Sequence, residues 1–64
     1  MTLEARLKEL KHISKALNEY ANRMPINNER ELNEYLDVQS IITKVNRDID
    51  WHNIEIAREK GYAR

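Results

Sequence analysis

Histidine is the first residue type here that could do chemistry. His52 has Asp48 four residues before it and Glu55 three residues after it, so on a helix all three fall near one face. Such a group is half of a metal site if a second chain supplies the other ligands. It is also what a partly buried histidine steadied by a neighbouring carboxylate looks like. The chain has no Cys, and its other histidine, His12, is far away in sequence. No metal and no cofactor are therefore expected. His52 is predicted to be a structural residue and His12 a solvated one.

Nucleophilic catalysis finds little support. Besides the tyrosines, the hydroxyls are Thr2, Ser14, Ser40 and Thr43, and none has a histidine at a matching helical offset. A phosphate-cradling loop needs several glycines, and this sequence has one. Carboxylates are plentiful, but in a chain that is 34% charged they read as solvated helix faces. The expectation is that the chain is not an enzyme.

The most informative pattern is a stripe. Lys44, Arg47, Trp51, Ile54, Arg58 and Tyr62 recur at steps of three and four, interleaving cations with the only Trp. Trp and Arg dominate binding hot spots, so Arg47, Trp51, Ile54 and Arg58 form a candidate protein-binding face. Packing inside an oligomer is a second reading, with the Arg stems covering apolar neighbours. A third is nucleic acid, using Lys44, Arg47 and Arg58 with a basic strip of Lys8, Lys11, His12 and Lys15. Charge disfavours the third. Lys plus Arg equals Asp plus Glu at 11 each. Residues 1–24 carry five cations and three anions, and residues 25–64 carry six and eight. Neither half has the excess that phosphate binding exploits.

These residues need elements to hold them. Leu3, Leu7, Leu10, Ile13, Leu17, Tyr20 and Met24 step by three and four, which predicts a helix over about 2–24 with Thr2 as its N-cap. Leu3, Leu10, Leu17 and Met24 take d positions of a heptad, and Leu7, Ser14 and Ala21 take a positions. Ile13 and Tyr20 widen the stripe. Glu4–Lys8 and Glu19–Arg23 are spaced as ion pairs. Pro25 ends the helix, because it cannot donate a backbone hydrogen bond and disfavours helical geometry at Met24. The loop is 25–28. Asn28 and Glu31 have capping-box spacing.

A second helix is predicted over about 29–60. Its seam is Tyr35, Val38, Ile42, Val45, Ile49, His52 and Ile56, flanked by Leu32, Leu36 and Ile41. Acids crowd its first turns, Arg58 and Lys60 its last, and Gly61 follows as a C′ residue. The fold class is thus all-α, one domain over 1–64, an antiparallel helical hairpin. A tight elbow would set Leu17 opposite Leu36, Leu10 opposite Thr43 and Leu3 opposite Asp50. The end of the second helix, with Ile54, Ile56 and Tyr62, would then overhang without a partner.

Such a chain has difficulty hiding its apolar side. At 64 residues it buries only about 60% of its unfolded surface, and small folds of this kind need a disulfide, a metal or another chain. Association is the device left, most simply a homodimer forming a four-helix bundle. Leu3, Leu7, Leu10, Leu17, Ile42, Val45, Ile49 and Ile56 are the predicted self-association residues. No apolar run exceeds two residues and no apolar stretch follows Met1-Thr2-Leu3-Glu4-Ala5-Arg6, so neither a membrane span nor a secretory signal is expected. The expected location is the cytoplasm.

The segments MTLEARLKELKHISKALNEY and INNERELNEYLDVQSIITKVNRDIDWHN, joined at the Met-Pro-Ile-Asn-Asn elbow, resemble the small helical accessory proteins encoded between the exonuclease and excisionase genes of lambdoid temperate phages. The resemblance implies a non-enzymatic regulatory protein in the host cytoplasm. It would bias the lysis–lysogeny decision or host processes by contacting host or phage proteins. In architecture alone, the chain is also similar to Rop-type RNA-binding hairpin dimers of plasmids.

Overall fold

The computed structural model describes residues 2–61, and the expectations placed on Tyr62 lie outside them. Helix α1 spans Leu3–Arg23 and helix α2 spans Glu29–Glu59. The Thr2 hydroxyl accepts from the Ala5 N–H at 3.1 Å, satisfying one of the four donors that a helix start leaves open. At the other end of α1, Met24 is extended (φ −70°, ψ 129°), as the following proline requires.

Asn28 starts α2. Its side-chain oxygen accepts from the Glu31 N–H at 2.9 Å. Glu31 Oε1 in return accepts from the Asn27 N–H at 3.1 Å and from the Asn28 side-chain amide at 3.2 Å. In a standard capping box the glutamate would reach the cap residue's own N–H. Here it takes the preceding one, which ties the loop to the helix. Gly61 closes α2 with φ +77°, a left-handed conformation that costs a residue with a Cβ about 1–2 kcal/mol. Its N–H donates to the Arg58 carbonyl at 3.0 Å.

The two helices pack against each other as a hairpin, with a register that differs from the expected one. The Ser14 hydroxyl donates to Asn46 Oδ1 at 3.1 Å, and Lys60 Nζ lies 3.8 Å from Glu4 Oε1. The helices are therefore level at their open end. With a rise of 1.5 Å per residue from the Ser14–Asn46 level, α2 overshoots α1 by about 12 Å at the elbow. Residues 24–28, extended at Met24 and Asn28, span that offset. Leu36 does not meet Leu17 and is about half exposed, and Leu32 is likewise uncovered. The overhang is thus at the elbow end, and the far end of α2 has a partner in its own chain. Ile56 there is half-buried. The longest dimension, 49 Å, is close to the length of α2 alone, because α1 lies within it.

The core is small. Leu7, Leu10, Ala21 and Ile42 are its buried members among the described residues, with Leu10 the deepest at 2% exposure. Two expected ion pairs give way to others. Glu4 faces Lys60 rather than Lys8, and Glu19–Arg23 does not close. The intrahelical pairs among the described residues are Arg6–Glu9 (3.1 Å), Arg30–Glu34 (3.5 Å) and Glu55–Arg58 (3.0 Å).

Candidate interaction surfaces

The predicted protein-binding residues all lie on the outside of α2. At 100° per residue, Trp51 is roughly 180° around the helix from the buried Ile42. Trp51 is 52% exposed and Ile54 51% exposed, with Arg47 and Arg58 exposed beside them. The structure brings these four onto one face that takes no part in packing against α1. Trp51 is buttressed by His52, whose ring meets it edge-on at 4.9 Å and 78°. Arg58 is held by Glu55, whereas Lys44 and Arg47 have no ion-pair partner among the described residues. Around Trp51 the face mixes Arg47 and the Glu55–Arg58 pair with Asp48, so the aromatic sits among charges of both signs.

His52 itself is half-buried, and its Nδ1 lies 2.7 Å from the Asp48 carbonyl oxygen. A carbonyl only accepts, so Nδ1 carries the proton and donates to it. The histidine is steadied by backbone and not by the Asp48 carboxylate, which corrects the sequence expectation. Among the described residues no three His, Asp or Glu side chains are grouped to hold a metal ion. His12 is exposed on α1 with Lys8, Lys11 and Lys15.

The residues expected to mediate self-association divide. Leu7, Leu10 and Ile42 are buried within the hairpin itself. Leu3, Leu17, Val45, Ile49 and Ile56 are half-buried along the same seam. Ile13, Tyr20 and Ile41, expected to flank the seams, are exposed. Ile13 and Tyr20 sit roughly 60–80° to one side of Leu10, and Ile41 roughly 100° to the same-signed side of Ile42. In an antiparallel pair, same-signed flanks fall on the same side of the hairpin. The Ser14–Asn46 hydrogen bond marks the opposite side, since both residues are offset by about +40°. Asn18 joins them, donating to the Ser14 carbonyl at 2.8 Å. One side of the hairpin is thus hydrogen-bonded through Ser14, Asn18 and Asn46, and the other exposes Ile13, Tyr20 and Ile41 beside the Arg6–Glu9 ion pair. The signal was present in the sequence as same-signed offsets from the seam.

A cleft of about 140 Å³ lies at the elbow, lined by Tyr20, Arg23, Met24, Pro25, Glu31 and Glu34. It is below the roughly 300 Å³ at which small-molecule sites begin. No serine or threonine lines it. Ser14 and Thr43 spend their protons on Asn46 and on the Gln39 carbonyl.

Compared with known proteins, the chain matches no protein-family model, no curated protein and no solved structure.

Proposed function

We propose that this chain is a non-enzymatic regulatory or protein-interaction module. It acts as a homodimer, two hairpins forming a four-helix bundle, and offers the outer face of α2 to a protein partner. Arg47, Trp51, Ile54 and Arg58 are the contact residues. One observation carries this reading: Trp51 and Ile54, each about half exposed, lie on the face of α2 turned away from α1. Large side chains left uncovered among arginines are what partner-binding surfaces present before they meet the partner. The small elbow cleft and the engaged hydroxyls favour binding over catalysis.

The proposal extends to setting. No helix among the described residues is long and apolar enough to cross a membrane. A phage accessory protein working in the host cytoplasm fits the same surface chemistry, with a host or phage protein as the partner. A second reading, an RNA- or DNA-binding hairpin dimer, draws on the unpaired Lys44 and Arg47 together with Arg58. It is opposed by the zero net charge.

Affinity capture from host lysate tests the two readings together. A protein partner is retained at moderate salt and lost in Trp51→Ala, while circular dichroism of the variant stays helical. Capture of nucleic acid, with affinity falling steeply as salt rises, selects the second reading instead. Capture unchanged by Trp51→Ala overturns the face assignment.

A further inference from the structure

We propose that the elbow is a second docking site, which takes a basic side chain, arginine or lysine, from a partner protein. This goes beyond the Trp51 reading and does not rest on it. The walls of the elbow cleft are of three kinds. Tyr20, Met24 and Pro25 are its apolar part, and Tyr20 is 58% exposed. Glu31 and Glu34 of α2 bring two carboxylates to it, and Arg23 brings one cation. The Glu31 carboxylate is already held in place. Its Oε1 accepts from the Asn27 N–H and from the Asn28 side-chain amide, and its Oε2 takes no partner among the described residues. A carboxylate fixed in advance loses little freedom when a cation binds. A guanidinium or ammonium there gains a charge-assisted hydrogen bond to Glu31, a neighbouring aromatic ring in Tyr20, and an apolar rest for its carbon stem in Met24 and Pro25.

Charge selects the occupant. Within residues 19–37, Glu19, Glu29, Glu31, Glu34 and Asp37 stand against Arg23 and Arg30, an excess of three negative charges in a chain that is neutral overall. Arg30 pairs with Glu34 at 3.5 Å, and both side chains are exposed, so an incoming cation exchanges for it at little cost. The same acidic end repels nucleic acid and anionic membrane surfaces. A bare metal ion fits poorly, because no three His, Asp or Glu side chains among the described residues are grouped to hold one. At about 140 Å³ the cleft is too small for a drug-sized molecule, so it takes one side chain of a larger partner. Glu34 and Trp51 lie about 25 Å apart along α2, which leaves room for both sites to be occupied at once.

The test is chemical-shift mapping on the full chain, labelled with nitrogen-15. The probe is the capped peptide Ala-Leu-Arg-Ala-Leu-Arg-Ala, and its control carries Glu in place of both Arg. The arginine peptide should move the amide signals of Tyr20, Met24, Glu31 and Glu34 and leave that of Trp51 in place, and the control should move none of them. Glu34→Gln keeps the capping hydrogen bonds of Asn28 and Glu31, so the helix start stays intact. It should weaken the arginine peptide about threefold, the size expected for one exposed ion pair. Arg23→Gln removes a like charge from the cleft wall and should tighten the peptide about threefold, a gain that a merely structural role for Arg23 would not produce. Both effects should shrink in high salt. The proposal is overturned by an arginine peptide that moves no elbow signal at millimolar concentration, by equal shifts from the two peptides, or by shifts centred on Trp51. An affinity indifferent to Glu34→Gln, or lost in Arg23→Gln, overturns it as well. None of these results bears on whether Trp51 binds its own partner.

Discussion

Leu7 and Ile13 lie at equal angular distances from Leu10, roughly 60° to either side. Leu7 is buried at 9% exposure and Ile13 is not. The two sides of the hairpin are therefore covered unequally, and position in an apolar stripe does not by itself decide burial. The covered side of α1 carries Ser14 and Ala21, which let the second helix approach, and interaxial distance follows the side chains at the contact. The other side carries Ile13 and Tyr20, which stay 41% and 58% exposed. The first side satisfies its own hydrogen bonds, and the second presents these side chains to solvent.

Substitutions probe this asymmetry with graded effects. Leu10→Ala removes the residue both sides share. It should cost about 3 kcal/mol in chemical denaturation, within the range for a leucine truncated in a core. In a domain this small that loss abolishes most of the folded population.

Ser14→Ala takes one cross-helix hydrogen bond from the polar side. Asn46 remains open to water, so the expected loss is about 0.5–1 kcal/mol, independent of protein concentration. A concentration-dependent loss would mean that a second copy covers this side. Ile41→Ala sharpens the contrast. Ile41 is 47% exposed, so the expected loss is below about 0.5 kcal/mol at any protein concentration. A loss of about 2 kcal/mol that varies with protein concentration would break the distinction between the sides. Glu4→Gln is the mildest. The Glu4–Lys60 pair is long and exposed, so the change should stay below about 0.5 kcal/mol and vanish in high salt. A larger effect would mean that this contact, and not the seam, holds the open end of the hairpin together.

The elements were legible in the sequence because they rest on local physics. The three-and-four spacing from Leu3 to Met24 and from Tyr35 to Ile56, the block at Pro25, the Asn28 cap and Gly61 each act within a turn or two of chain. The exposed Trp51 stripe was legible for the same reason, since it lies across α2 from Ile42 by angle alone. The register was not. A loop of fixed length permits a tight reversal or an extended run, and only packing between the helices chooses. The connection over residues 24–28 sets the helices level at their open end, which moved the overhang from the Ile54 end to the Leu32–Leu36 end. The anchor of His52 was equally hidden, because a carboxylate and a backbone carbonyl of Asp48 lie the same four residues away.

Sequence alone thus determined two amphipathic rods, their caps and the breaker between them, since each depends on neighbours along the chain. Tertiary structure decided how far one rod slides along the other and which flank of the seam is closed. Both outcomes depend on contacts between residues some thirty positions apart, as the Ser14–Asn46 hydrogen bond does.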